Sequence, residues 1–242
     1  MTNESQDPLA NLGSDRESDG PGVEARSAGI ETAETQTAET QTAETQAGIT
    51  PSGALERLRD GNRRFVSGER ADRNLRSQVQ VTSHGQYPFA IVLGCIDSRV
   101  PPEVVFDQGI GDIFTGRVAG NVVGEDQLGS MEFACKVAGA KLVLVLGHTR
   151  CGAVAGALEG AELGNLTALL DKISPAQKVV VDDEHPPPVT FELIARVAEA
   201  NVRRMVQRIR EESPVLASME VDGEILVAGA MYEVETGNVR FL

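Results

Sequence analysis

Residues 88–94 read PFAIVLG and residues 141–147 read KLVLVLG, and these two apolar segments decide the fold of the sequence. Each is short, rich in branched apolar residues and closed by glycine, which is typical of a strand covered on both faces of a sheet. Between them, residues 112–118 predict a further strand and residues 125–138 predict a helix. This alternation of strands and helices favours βαβ units and therefore a parallel sheet.

The flanking segments extend the same pattern. Apolar side chains recur at helical spacing over residues 51–66 and again over residues 189–212, so both segments are predicted to be helices. Residues 151–158, rich in Ala and Gly, predict a short helix, while residues 224–233 and 238–242 predict one or two strands at a sheet edge. The expected fold class is α/β, with a mainly parallel central sheet flanked by helices.

The first 49 residues differ in composition from the rest of the chain. They hold ten acidic and two basic residues, and they repeat TAETQ three times between Thr32 and Gln46. Because they offer few large apolar side chains to offset the entropy of ordering, residues 1–49 are predicted to form a disordered acidic tail. Residues 50–242 are the predicted folded domain. We expect the tail to be solubilising, with partner binding or salt adaptation as the alternative.

Charge and composition exclude several classes of function. The 242 residues carry a net charge of -14, which argues against nucleic-acid binding, since that needs clustered Lys and Arg. No apolar run approaches the roughly 20 residues of a membrane helix, and no basic and then apolar leader opens the chain, so a cytoplasmic protein is expected. Three cysteines are too few for a disulfide framework, which leaves metal ligation or core packing.

Cysteine and histidine follow the two apolar segments. Cys95 comes directly after the first, and His148 and Cys151 come after the second. Because parallel strands of one sheet open on a crevice at their carboxyl ends, we expect the three side chains to meet there. Two thiolates and an imidazole suit Zn²⁺, and three protein ligands leave a fourth position open, as in catalytic zinc sites. The alternative is that the cysteines are buried as ordinary apolar residues.

An acid and a base stand beside the first predicted ligand. Arg99 is placed to form a bidentate pair with Asp97, and Asp97 can reach a water molecule at the open metal position. The two residues are therefore candidates for catalysis. A structural ion pair at the surface is the alternative.

Four motifs together resemble the β-carbonic anhydrases: CIDSRVP (95–101), RVAGN (117–121), GSMEFA (129–134) and GHTRCGA (147–153). The resemblance runs from about residue 51 to the C-terminus, and it implies that residues 50–242 form a catalytic domain. The family usually has Ser where this sequence has Ile96. The resemblance implies one Zn²⁺ per chain on Cys95, His148 and Cys151, and reversible hydration of carbon dioxide to bicarbonate and a proton by attack of zinc-bound hydroxide.

The resemblance also implies a substrate pocket. Gln86 matches a substrate-binding glutamine of plant-type members, Phe114 and Phe133 match walls of the carbon dioxide pocket, and the backbone of Gly152 would bind a substrate oxygen. The alternatives are a solvated loop for Gln86 and core packing for the two phenylalanines. One subgroup has an inhibitory bicarbonate pocket built on a tryptophan, where this sequence has Val92. A plant-type site is implied instead.

The family builds its active site at a dimer interface, so a homodimer or higher even homo-oligomer is implied. Two other functions stay open: hydrolysis of carbonyl sulfide or carbon disulfide on the same scaffold, and a non-catalytic zinc-binding structural protein. The pair of Asp97 and Arg99 argues against the structural protein, because a structural zinc site normally closes its fourth position with a protein ligand.

Overall fold

A computed structural model of the chain describes residues 40–182 and 187–242. Its centre is a five-stranded sheet in the order β2-β1-β3-β4-β5. Strands β2, β1, β3 and β4 run parallel to one another, and β5 runs antiparallel to β4. The predicted α/β class with a mainly parallel sheet is confirmed. The strands are β1 (Ala90–Gly94), β2 (Ile113–Arg117), β3 (Leu142–His148), β4 (Leu226–Tyr232) and β5 (Val239–Phe241).

Helices cover both faces of the sheet and connect its strands. The predicted helix at residues 125–138 continues from α5 into a wider π-helical turn, Phe133–Val137, which exposes the Phe133 ring. No helix of the described residues is long and apolar enough to cross a membrane. The α-helices are α1 (Ala43–Gly48), α2 (Pro51–Ser67), α3 (Leu75–Thr82), α4 (Pro102–Val105), α5 (Glu125–Glu132), α6 (Gly152–Leu158), α7 (Gly164–Leu170), α8 (Ser174–Val180), α9 (Phe191–Glu212) and α10 (Pro214–Val221).

Successive side chains of the buried strands enter two separate cores. On β3, Val143 and Val145 pack in the core that contains α9, while Leu142, Leu144 and Leu146 pack in the core that contains α2. A strand buried on both faces needs an apolar run instead of an alternating pattern, which is what both deciding segments have. Glycine stands one residue before the end of β3 because α9 lies close: a Cβ on Gly147 would stand 2.4 Å from a methyl group of Val202.

Residues 40–49 are folded, which differs from the sequence prediction. Residues 40–49 were predicted to belong to the disordered tail, whereas the structure places α1 there, with Thr42 as its capping residue. Gln41 is buried and accepts a hydrogen bond from Arg57 of α2 at 2.6 Å. The prediction is wrong for this segment because hydrogen bonds of Thr and Gln, together with the packing of the apolar side chain of Ile49, attach it. Residues 1–39, which are also predicted to be disordered, lie outside the residues that the structure describes.

A buried carboxylate ties α2 to the segment before β2. The side chain of Asp107 is fully buried and accepts hydrogen bonds from Arg64 at 2.6 Å and from Arg73 at 2.6 Å. The backbone N–H of Ala71 donates to the same carboxylate at 3.1 Å. Burial by itself would raise the pKa of Asp107, but these donors outweigh it and hold that pKa below its usual 3.8.

We expect Asp107→Asn to destabilise the fold by ~3 kcal/mol near neutral pH, because it leaves two arginines without their anion. Asn keeps the size of the side chain and tolerates the positive φ of this position, which is 46°. The stabilisation from a lowered carboxyl pKa is complete above the unfolded pKa and disappears as pH falls through the folded pKa. Melting curves should therefore show a constant difference in Tm between the variant and the wild type from pH 5 to pH 8, and this difference should become smaller below about pH 4. An equal difference at pH 3 would contradict this account.

Candidate metal centre

The pairing of β1 with β3 sets the position of the predicted metal ligands. The two strands run side by side in parallel, with Gly94 opposite Leu146. Cys95 follows the last residue of β1, and His148 is the last residue of β3. Cys151 then stands at the amino end of α6, after a tight turn in which Arg150 has a φ of 55°. The carboxyl edge of the sheet thus brings the three residues together.

The geometry of this group fits a tetrahedral metal site. Cys95, His148 and Cys151 are all buried, and their ligand atoms lie within 4.8 Å of one another. The two sulfur atoms are 4.0 Å apart, close to the roughly 3.8 Å that two thiolates of a tetrahedral zinc site would have. Within the part of the chain that the structure describes, no other group of Cys, His, Asp or Glu was found in such an arrangement.

The histidine offers one free nitrogen to this group. The Nδ1 atom of His148 lies 2.9 Å from the carbonyl oxygen of Thr149. If Nδ1 carries the proton, as this contact requires, Nε2 has a free lone pair. Nε2 is buried and has no hydrogen-bond partner among the described residues. Such an unpaired buried polar atom is costly, and a metal ion at the site would satisfy it.

The two buried sulfurs differ in acidity. The pKa of Cys95 is lowered, first because the Cys151 thiol donates a hydrogen bond to its sulfur, and burial opposes this. The backbone N–H of Gly120 also donates to the Cys95 sulfur, at 3.3 Å. The pKa of Cys151 is raised by its bond to Cys95 and by burial. Two adjacent buried thiolates need a cation, so this pair suits a metal ion, whose binding would release the thiol protons.

Asp97 and Arg99 form a bidentate ion pair beside the group. The guanidinium of Arg99 donates to both carboxylate oxygens of Asp97, at 3.0 Å and 2.8 Å. These bonds lower the pKa of Asp97 to about 2, against the effect of burial, and so keep it ionised. Its Oδ2 atom is 3.9 Å from Nε2 of His148. The carboxylate therefore lies next to the position that a metal would occupy.

Two further residues fix the segment that carries Cys95 and Asp97. Arg117, the last residue of β2, donates to the carbonyl oxygens of Cys95 at 2.9 Å and of Asp97 at 2.5 Å. Gly120 donates its N–H to the Cys95 sulfur, and its φ of 65° favours glycine at this position. The sequence analysis did not predict these roles, although both residues lie in the RVAGN motif.

The predicted substrate residues lie in three places. Gln86 is exposed and precedes the amino end of β1, whereas Cys95 follows its carboxyl end. Phe114 and Phe133 contact each other edge to face, with ring centroids 6.2 Å apart, in a groove of about 660 Å³ beside β2. Gly152 is the first residue of α6, where an added Cβ would meet open space. Thus the structure joins the two phenylalanines but does not bring Gln86 to the metal group of its own chain.

Comparison with known proteins agrees with these features. The family model described as carbonic anhydrase matches residues 90–239. A β-carbonic anhydrase structure from Aspergillus fumigatus is 29% identical, with a TM-score of 0.62, over 79% of this chain and 89% of that one. The chain belongs to the β-carbonic anhydrase family. Carbonic anhydrase 2 of Mycobacterium tuberculosis is 31% identical over 77% of this chain and 90% of its own length. Tetrameric β-carbonic anhydrases from Sordaria macrospora provide a structure with a TM-score of 0.59 and 23% identity, over 67% of this chain and 84% of that one.

Thr149 connects the metal group of this β-carbonic anhydrase to the end of β4. Its N–H donates to the carbonyl of Tyr232 at 3.0 Å, and its hydroxyl donates to Glu233 at 2.7 Å. The same hydroxyl oxygen accepts a bond from the N–H of Val234 at 3.1 Å. Since the Thr149 carbonyl holds the His148 ring, these bonds orient the histidine from outside the site.

We expect Thr149→Val to weaken metal binding by about 10-fold or more, because it removes the hydroxyl that anchors this carbonyl while keeping the side-chain volume. Thr149→Ser is the matched control, since it retains the hydroxyl, and it should bind metal like the wild type. Competition with a chelator, using Zn²⁺ and Co²⁺ separately, measures the affinity. Equal affinity in the Val and Ser variants would mean that Thr149 does not position His148.

Proposed function

We propose that this β-carbonic anhydrase hydrates carbon dioxide reversibly to bicarbonate and a proton, with one Zn²⁺ held by Cys95, His148 and Cys151. The observation that carries the proposal is the buried group of two sulfurs and one free imidazole nitrogen, next to an ionised carboxylate. When bound, zinc supplies a Lewis acid that lowers the pKa of water to about 7.

Asp97 is proposed to orient the nucleophilic water and to accept its proton through a hydrogen bond. Its Oδ1 atom is occupied by the backbone N–H and the Nε–H of Arg99, so Oδ2 is the oxygen that faces His148. A carboxylate with a pKa of about 2 stays ionised, and so remains a hydrogen-bond acceptor, throughout the physiological range. Arg99 is a positioning residue. It fixes the carboxylate and also donates to the carbonyl of Arg150 at 3.3 Å, which joins the two ligand-bearing segments.

The substrate pocket is proposed to need a second copy of the chain. Gln86 lies at the opposite end of β1 from Cys95, a separation of about 16 Å for five strand residues. A partner's glutamine could supply the hydrogen bond to substrate that a Gln86 in the same chain does not. Phe133 is 47% exposed on the groove that it shares with Phe114, which leaves an apolar surface for a partner to cover. The Sordaria macrospora proteins are described as tetrameric.

A structural zinc protein is less consistent with the site. The candidate group has three members, and Cys135 is a separate free cysteine whose pKa is raised to about 12 by burial in the core. A closed structural site would need a fourth protein ligand. A cytoplasmic location is also proposed, since thiolate ligands and three free cysteines suit a reducing compartment.

We expect purified protein to contain one zinc per chain and to catalyse carbon dioxide hydration in a stopped-flow assay. Removal of zinc by a chelator should abolish the activity, and added Zn²⁺ should restore it. Cys151→Ala should lose both zinc and activity. Zinc-loaded wild-type protein without hydration activity at any pH would instead support a structural role for the metal.

Asp97→Asn should lower kcat by about 100-fold or more without loss of zinc, because the neutral amide lacks the charge that orients the water and loses the charge-assisted pair with Arg99. Arg99→Ala should also lower activity, because it frees Asp97 to turn toward the metal. The control is Ser98→Ala, an exposed position between the two, which should behave like wild type. Hydration rates across pH, with zinc content measured for each variant, test this. If Asp97→Asn and Arg99→Ala both hydrate carbon dioxide at the wild-type rate, Asp97 has no role in the mechanism.

A further inference from the structure

The part of the chain that the structure describes begins inside the TAETQ repeats. The three copies occupy residues 32–36, 37–41 and 42–46, and the third copy forms the start of α1. In that copy, the hydroxyl of Thr42 caps the helix and pairs with Thr45, as in a capping box. Every copy has the same two threonines and the same terminal glutamine. Each copy therefore carries all the side chains that the observed turn uses.

The glutamine of the third copy holds this turn on the domain. The side-chain nitrogen of Gln46 donates to the carbonyl of Pro88 at 2.7 Å and to the carbonyl of Ala138 at 2.8 Å. Pro88 precedes β1 and Ala138 follows the π-helical turn, so neither carbonyl serves the regular hydrogen bonding of its element. Gly139 leaves space for the amide, since an added Cβ would stand 3.0 Å from Gln46 Oε1. We call these two carbonyls with Gly139 the amide cradle.

The glutamine of the second copy contacts a different place. The oxygen of Gln41 accepts a hydrogen bond from Arg57 at 2.6 Å, while its nitrogen is buried with no hydrogen-bond partner among the described residues. Gln41 thus acts only as an acceptor, whereas Gln46 acts as a donor. Gln41 contacts Arg57 and Gln46 contacts the amide cradle, so the two docking points bind residues that are five positions apart. Five residues is also the length of the repeat.

We propose that the amide cradle and Arg57 form one docking surface for the TAETQ repeats. In the observed register the copies at residues 37–41 and 42–46 occupy it, and in an alternative register the copies at residues 32–36 and 37–41 occupy it. When the segment slides by one repeat, Gln41 enters the amide cradle and Gln36 moves to Arg57. Ile49 keeps its place against the core, and the third copy becomes part of a longer connection to α2.

The chemistry of the two points explains why each copy ends in glutamine. Glutamate would bind Arg57 more strongly through its charge, but it has no N–H to donate and would repel the carbonyls of the amide cradle. Only a residue that can both donate and accept suits both points, and the primary amide of glutamine does so. A longer connection adds little cost, because the entropy of closing a loop grows slowly with its length.

Glutamate substitutions in the full-length chain test the proposal. Gln46→Glu alone should lower Tm only slightly, because the segment slides and Gln41 fills the amide cradle. The control, Gln36→Glu with Gln41→Glu, keeps Gln46 and should melt like wild type or slightly higher. All three substitutions together should lower Tm by ~4 °C or more, a loss larger than the sum of the single variant and the control. Gln→Ala at the same positions repeats the comparison without added charge.

Amide hydrogen exchange gives the direct measurement. In the wild type the N–H of Gln46, which donates to the carbonyl of Thr42 at 2.9 Å, should be protected. In Gln46→Glu, protection should move five residues toward the amino end, to the N–H of Gln41. The proposal is overturned if protection disappears from all copies in that variant. It is equally overturned if Gln46→Glu alone melts as low as the triple variant.

Discussion

The parallel pairing of β1 with β3 is the constraint on which the rest of the site depends. The register places Gly94 beside Leu146, so the residues that follow both strands emerge at one edge of the sheet. A shift of one residue would turn every side chain of a strand to the opposite face. It would exchange the two cores and remove Cys95 or His148 from the group. The apolar packing on both faces therefore determines the ligand geometry as well as the stability.

The site combines strong burial with positive partners aimed at the anionic groups. Cys95 receives the N–H of Gly120, and its carbonyl is held by Arg117. Asp97 has Arg99, and the histidine ring has the carbonyl of Thr149. Cys95, Asp97 and His148 are thus each oriented by a hydrogen bond from outside the metal group. Such preorganisation limits the reorganisation that metal binding or proton transfer would require.

Much of the fold could be predicted from the sequence because its signals are local. Apolar runs ending in glycine predicted β1 and β3, and helical periodicity predicted α2 and α9 within a few residues. The meeting of Cys95, His148 and Cys151 followed from the topology of parallel sheets. Family membership, expected from four motifs, is confirmed by the family match over residues 90–239. The catalytic and substrate roles of the named residues stay predictions.

Other features depend on contacts that no local pattern encodes. The link from Thr149 to Glu233 joins residues 84 positions apart, and the bonds of Gln46 reach 42 and 92 positions along the chain. The short helix α4 packs against α2, which lies far from it in sequence, as well as against β2. The proposed contribution of Gln86 to a substrate site depends on a second chain. These contacts lie beyond what composition, periodicity or spacing within one segment can indicate.

The attachment of α1 through an identical repeat has a consequence for how this part of the gene can change. Duplication or deletion of one whole copy leaves the five residues before Ala47 the same, because every copy reads TAETQ. The helix turn, its capping threonine and the glutamine at the domain surface are then all retained. The acidic segment can therefore lengthen or shorten in steps of five residues without altering α1.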